Sequence, residues 1–300
     1  MNILKRSKRI RLSALRLVLI LAALGACAQP VPPQETPPPT PPPTDTPPPN
    51  TPPAVTPPPD SPAPPPIGTP VPEQPDRGWI PLLGTSLEGW SPWLTQSKGD
   101  PKGIFKVEDG VLRILDIPAS AWNREQGYLA TDKTYRHYHL RFEYRWGDQH
   151  FAGAERGGGL LYHVVGPDRL WPRSLELQLQ EGDTGDLWLL GRLTAQTTVA
   201  SASAKTPQYR AGGTPYTTKP RSYAQLIKSG TYEKPGWNRV ELIVTADSVT
   251  HVVNGKVNNR VTNPRQPAAG GTAPLTAGRI AFQAQNAEML VRNVEIKVLE

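Results

Sequence analysis

One cysteine, Cys27, occurs in 300 residues. That leaves no intramolecular disulfide, no cysteine-ligated zinc and no case for thiolate catalysis. Aromatic residues are missing before Trp79, and Pro30 to Pro75 holds 24 of the 37 prolines with no Lys or Arg. A segment so composed cannot bury a core, which excludes two large domains and leaves one sandwich-sized unit after position 75. The apolar run Leu17 to Leu24 is too short to span a bilayer. The net charge of +7 is also less than it seems, because Lys5, Arg6, Lys8, Arg9, Arg11 and Arg16 precede Cys27 and leave 27 basic against 26 acidic residues. A chain so balanced gives no electrostatic case for nucleic acid.

The basic start and short apolar run have the order of an export signal, and Leu24-Gly25-Ala26-Cys27 resembles a bacterial lipobox. Residues 1–27 are therefore expected to be a lipoprotein signal peptide. Lipidation of Cys27 would follow, placing the exported protein as a lipid-anchored partner of a cell-envelope membrane. Ala28 follows the cysteine, so the aspartate that retains such proteins at an inner membrane is absent. Residues 28–75 carry Thr-Pro-Pro-Pro repeats and only acidic charges, at Glu35, Asp45, Asp60 and Glu73. Proline pins φ and removes donors, which predicts an unpacked polyproline-II spacer on the order of 140 Å long at about 3.1 Å per residue.

Residues 76–300 carry period-two apolar alternation and turns, with almost no helical periodicity, so an all-β fold is expected. Asp109-Gly110 and Asn254-Gly255 stand between apolar pairs and predict tight hairpins. Val240, Leu242 and Val244 alternate with polar residues, as do Val294, Ile296 and Val298. From His137 to Trp146 the even-numbered Tyr138, Leu140, Phe142, Tyr144 and Trp146 share one face. Arg141, Glu143 and Arg145 share the other. From Ser174 to Glu181, Leu175, Leu177 and Leu179 should face a core, leaving Glu176, Gln178 and Gln180 on the opposite side.

Two polar strand faces of this kind suit a hydroxyl-rich ligand, though a solvated face with cross-strand ion pairs is the alternative. The loop from Gly182 to Trp188 adds acids and an indole on which a sugar ring could stack. Glu181, Asp183 and Asp186 could hold calcium, although their spacing is not that of an EF-hand; no other cofactor is implied. Thr194 to Ser222 shows no strand pattern and reads as a long loop beside the site.

The segments Gly78-Trp79-Ile80-Pro81-Leu82-Leu83, Tyr128 to Lys133, His139 to Arg145, Ser174 to Asp183, His251-Val252-Val253-Asn254-Gly255 and Arg292 to Ile296 together resemble the 3-keto-disaccharide hydrolase family. The resemblance implies a concanavalin A-like jelly roll of two antiparallel sheets over residues 76–300, acting on a glycoside oxidised at C3. A ketone there acidifies the C2 proton, so a base can form an enolate that expels the C1 substituent before water adds. Such chemistry requires a base titrating near neutrality and donors toward the enolate oxygen. The chain departs from the family pattern at Gly157-Gly158-Gly159, at His163 and at Gln285.

Independently of that resemblance, a two-carboxylate mechanism on the Glu176 strand is disfavoured. Its next same-face positions are Gln178 and Gln180, and amides cannot exchange the required proton. Glu176 is the first candidate for the catalytic carboxylate, the alternative being an ion pair with Arg141 or Arg145. His163, ending a strand that could pair with the Glu176 strand, is the candidate base or enolate donor, against a structural role. Gln178, Gln180, Arg141, Glu143, Arg145 and Trp188 are the candidate substrate contacts. The non-enzymatic alternative is a carbohydrate-binding module using the same sheet without turnover.

Overall fold

A computed structural model describes residues 78–123, 125–245 and 247–299. The leader, Cys27 and the proline-rich segment lie outside the described residues. In chain order the strands are β1 (Ile80–Pro81), β2 (Trp90–Leu94), β3 (Phe105–Glu108), β4 (Val111–Ile114), β5 (Gly127–Thr131), β6 (Tyr138–His150), β7 (Gly157–Val165), β8 (Arg173–Gln180) and β9 (Leu187–Leu190). They continue with β10 (Thr194–Val199), β11 (Thr214–Thr217), β12 (Tyr223–Leu226), β13 (Asn238–Val244), β14 (Ser248–Val253), β15 (Lys256–Ala268), β16 (Gly271–Pro274), β17 (Arg279–Ala284) and β18 (Ala287–Val298). Among the described residues the only helix is a 3-10 turn at Ala119–Ala121.

Two antiparallel sheets form. The larger runs β11-β10-β15-β14-β13-β6-β18-β4-β3, with β1 on β18 and β16 on β15; the smaller runs β12-β9-β8-β7-β17-β5-β2. Both expected hairpins occur: Asp109 and Gly110 join β3 to β4, and Asn254 and Gly255 join β14 to β15, all four with positive φ. That backbone matches the strand twist and is open to Asn, Asp and Gly at small steric cost.

Strand alternation builds the core as expected. Tyr138, Leu140, Phe142, Tyr144, Val240, Leu242 and Val244 point inward from the large sheet against Leu160, Tyr162, Leu175, Leu177, Leu179 and Phe282 of the small one. Phe142 and Phe282 meet edge-on at 5.2 Å across the interface. Each fully buried leucine contributes roughly 1.5–3 kcal/mol, so the three on β8 alone hold that strand firmly in place. The result is the jelly-roll sandwich.

Three details differ from the sequence reading. Val298 is exposed at the end of β18, where pairing runs out, although Val294 and Ile296 are buried. Thr194 to Ser222 is not one loop, since it contains β10 and β11. Its signal was masked because Ala195 and Val199 alone are buried along a threonine-rich strand. The turn after β8 is a clamped connection rather than an open acidic loop. Gly185 there has φ +102°, and a Cβ on it would lie 1.9 Å from Asn258 Nδ2. Asn258 donates to the Thr184 carbonyl and Asn259 to that of Gly185, tying the turn to the large sheet.

Candidate active site on the outer face of the small sheet

The residues of the small sheet that turn away from the core define its other surface. One row crosses Gln225 (β12), Trp188 (β9), Glu176 (β8), Leu161 (β7), Ala281 (β17) and Ala130 (β5) as successive pairing partners. In the next row Gln178 pairs with Gly159, and Gln283 with Tyr128, which pairs in turn with Trp93. Tyr128, Ala130, Leu161, Val164 and Ala281 form an apolar cluster, with Trp93 and Trp171 packed against it. Trp93 and Tyr128 stack at 5.4 Å. An apolar floor with aromatic edges and a few polar groups is the composition of a sugar-binding surface.

Glu176 stands in the middle of this face. Its side chain and that of Gln283 come together above Gly159 of the strand between them. A Cβ on Gly159 would lie 2.6 Å from Gln283 Oε1 and 2.7 Å from Glu176 Oε1. The run of glycines at the start of β7 therefore makes room for two functional groups. Glu176 is only 6% exposed and Gln283 only 2%. Burial raises the Glu176 carboxyl from its ordinary 4.5 to about 8, with the Gln283 amide opposing the shift by favouring the anion. Gln283 Oε1 is buried without a hydrogen-bond partner. A buried carboxyl titrating near neutrality beside an unpaired buried acceptor is costly to fold and suited to proton transfer on a ligand.

Gln178 donates to Gln180 Oε1 at 3.3 Å, and Gln180 to Glu155 at 3.2 Å and Asp183 at 3.4 Å. Both glutamines thus share the face of Glu176, and Trp188 lies directly beside it on β9. At the other end, Asp168 accepts from the Tyr128 hydroxyl at 2.8 Å and from Arg279. Burial acts to raise the Asp168 carboxyl, but Arg279 and Tyr128 outweigh it and hold it below its ordinary range.

Other candidates are not brought to this face. Arg141, Glu143 and Arg145 lie on the outer side of the large sheet, with the hydrophobic core between them and Glu176. Arg141 pairs with Glu295 at 2.7 Å and covers Trp79, while Glu143 accepts from Arg292 at 2.8 Å and Asn293 at 3.1 Å. Arg145 lies 5.4 Å from the Trp237 ring. Glu176 is accordingly no ion-pair partner for Arg141 or Arg145. The two strands share a period but belong to different sheets.

His163 is also separated from Glu176. β7 bulges between Tyr162 and Val165, and His163 takes φ +50°. The extra residue breaks the alternation: Leu161 and Val164 join the outer cluster while Tyr162 and Val165 pack on the core. The imidazole is 2% exposed, and its Nδ1 lies 3.2 Å from the carbonyl oxygen of the core residue Leu275. Burial lowers its pKa to about 4, against the Leu275 hydrogen bond, so it is neutral at pH 7.

The three acidic residues offered for calcium each have a cation or donors of their own. Glu181 is paired with Arg156 at 2.7 Å and Asp183 with Lys228 at 2.9 Å. Asp186 accepts from Gln225 Nε2 at 2.7 Å and from the Lys228 backbone at 2.9 Å. Among the described residues no cluster of three or more potential metal ligands occurs. The donor set does not fit a calcium cage, which needs convergent, unpaired oxygens.

Gln283, Gly159 and Tyr128 are not among the candidate site residues that the sequence offers. A single amide in the apolar run Ile280-Ala281-Phe282-Gln283-Ala284 was the available signal.

Residues 78–297 match the model of a family described as a 3-keto-alpha-glucoside-1,2-lyase-like domain. No curated protein matches the chain. Among solved structures, a Parabacteroides distasonis ATCC 8503 protein provisionally named a glycosyl hydrolase is 22% identical, with TM-score 0.47 and coverage of 74% of this chain and 94% of that one. A Bacillus licheniformis β-glucanase is 10% identical, with TM-score 0.40 and coverage of 74% and 97%. The Bacillus subtilis carbohydrate binding module CBM66 is 9% identical, with TM-score 0.34 and coverage of 73% and 95%.

Proposed function

The chain belongs to the 3-keto-α-glucoside-1,2-lyase-like family, and on that premise we propose that its small-sheet face cleaves glycosides whose sugar carries a C3 ketone. The observation that carries this reading is the meeting of Glu176 and Gln283 over Gly159, with the carboxyl raised to about 8 by burial. The 3-keto ring sits over Gly159 and the apolar floor. The Glu176 carboxylate takes the C2 proton, and the electrons of that bond move to the C3 oxygen as an enolate. The Gln178 and Gln283 amides, on the two sides of Gly159, supply donors for that oxygen and acceptors for ring hydroxyls. The enolate then collapses with loss of the C1 substituent, which takes the proton held by Glu176 and leaves as an alcohol; the regenerated carboxylate takes a proton from water, whose oxygen adds at C1, and delivers that proton to C2. A carboxyl that titrates near the working pH can both take a proton from C2 and deliver one back to it.

The full chain incubated in D2O with a 3-keto disaccharide is expected to release the free second sugar and to place deuterium at C2 of the 3-keto sugar. The unoxidised disaccharide should remain intact. Saturable binding of the 3-keto disaccharide with neither release nor exchange would favour the carbohydrate-binding module instead.

The same proposal places the enzyme outside the cell on a lipid attached to Cys27. Cys27→Ser is expected to move the protein from the membrane pellet to the soluble fraction. An unchanged pellet fraction sinks the lipoprotein assignment.

A further inference from the structure

Next to Trp188, at the β12 edge of the same sheet, lies a cavity of about 610 Å³. Its lining includes Lys205, Lys219 and Arg221 but no Asp or Glu, together with the rings of Trp188 and Tyr223. We propose that this cavity receives the departing portion of the substrate and selects one bearing an anionic group, a carboxylate or a phosphate. The proposal rests on the glycoside-cleaving assignment above and names its substrate class.

Position comes first. Glu176, Trp188 and Gln225 are consecutive pairing partners across β8, β9 and β12. Neighbouring strands lie about 4.8 Å apart, so the cavity begins one strand from the carboxyl and extends about two strands from it. A ring bonded at C1 to the sugar over Gly159 reaches that distance when it points toward β12, with Trp188 beneath it as a stacking surface.

Charge is the second argument. Nine Lys and Arg side chains of the described residues join ion pairs, among them Lys102 with Glu125, Arg113 with Glu108, Arg156 with Glu181, Lys228 with Asp183, Arg239 with Glu241 and Arg292 with Glu143. Lys205, Lys219 and Arg221 join no ion pair among the described residues, yet all three line one opening. Three like charges around a concave, partly apolar surface repel one another and focus a positive potential into it, a cost that an anionic ligand relieves.

The third argument is that the walls are fixed. Thr218 is buried, and its Oγ1 accepts from the Ala195 backbone at 2.9 Å, while the Thr218 amide donates to the Ala195 carbonyl at 2.9 Å. The segment carrying the lining residue Pro207 is held too: the Ile227 amide donates to the Pro207 carbonyl at 2.9 Å, and next to it Gln208 donates to the Lys228 carbonyl at 3.0 Å. Tyr223 remains 53% exposed at the rim, a large aromatic surface left open to a ligand.

The test compares two 3-keto glucosides that differ only in the leaving residue, glucuronate or glucose, using the full chain and a Lys219→Gln/Arg221→Gln variant. Both positions are exposed and unpaired, so folding is undisturbed. The wild type is expected to prefer the glucuronate substrate by about tenfold in kcat/KM, the order of two or three solvent-facing ion pairs acting together. The variant and 0.5 M NaCl should each remove the preference without changing the rate on the neutral substrate. Equal kcat/KM for the two substrates in the wild type overturns the proposal. If neither substrate turns over, the glycoside-cleaving assignment fails, and the cavity is judged by titration with glucuronate, glucose 6-phosphate and glucose. Binding of either anion, but not glucose, that is lost in the variant supports the anionic site and tells carboxylate from phosphate. No binding of either anion overturns it.

Discussion

Glu176→Gln is expected to lower turnover of a 3-keto disaccharide by roughly a hundredfold or more, the usual cost of losing a general base, while making the fold more resistant to alkali. The substitution preserves size and hydrogen-bonding capacity and removes only the ability to ionise. Its stability effect follows from the raised carboxyl. With a folded pKa of about 8 and an ordinary value of 4.5, the protonated form stabilises the fold fully below pH 4.5. That contribution is lost progressively as pH rises from 4.5 through 8, and it then levels off. The span corresponds to roughly 5 kcal/mol against the native state. At pH 5 the melting temperatures of wild type and variant should nearly coincide; at pH 9 the variant should melt higher. A wild type no less stable at pH 9 than its variant would mean that Glu176 is not buried as described. His163→Gln is the contrasting substitution: it leaves a neutral group in the core and should lower the melting temperature at every pH, with turnover within a few-fold of wild type. Loss of turnover in a folded His163→Gln protein would move the base to the histidine.

The opposite signs of the two expected effects reflect what the site is made of. A carboxyl on a sheet face could have been solvated, paired with Arg141, or buried, and sequence alternation distinguishes none of these. Alternation gives which side of a strand a residue occupies, and on β8 it did so correctly for Leu175, Glu176, Leu177, Gln178 and Leu179. It does not give the sheet. β6 and β8 both present long polar side chains away from the core, but one sheet carries Arg141 and the other Glu176, so two surfaces on opposite sides of the molecule read as one. His163 was misplaced for a related reason, since one bulged residue reverses the side that counting by twos assigns. Gln283 and Gly159 lay outside any such count. Their importance comes from the small-sheet order β8-β7-β17, which sets two side chains on strands far apart in sequence above one glycine.

That juxtaposition makes Gly159→Ala a sharper test than removal of either functional group. One methyl group would lie within 2.7 Å of both Gln283 Oε1 and Glu176 Oε1, closer than carbon and oxygen tolerate. The atoms that must yield are the ends of two flexible side chains rather than backbone, and Gly159 is not among the residues with positive φ. Alanine is therefore compatible with the strand, and it lowers the entropy of the unfolded chain. Melting temperature at pH 5 should change little or rise slightly. Turnover of the 3-keto disaccharide should fall about a hundredfold, the order that a displacement near 1 Å costs a positioned catalytic group. The Glu176 carboxyl, moved from the Gln283 amide that favours its anion, should titrate higher, so the acidic limb of the pH–rate profile, along which the base becomes protonated and inactive, shifts toward alkali in the residual activity of the variant. A Gly159→Ala protein that keeps wild-type turnover would show that Glu176 and Gln283 do not act over that glycine; one that fails to fold at pH 5 would show that the side-chain ends cannot yield. With the fold intact and both functional groups still present, loss of turnover can come only from their separation or from displacement of the sugar above them, and Gly159→Ser, with a bulkier side chain, should lose more.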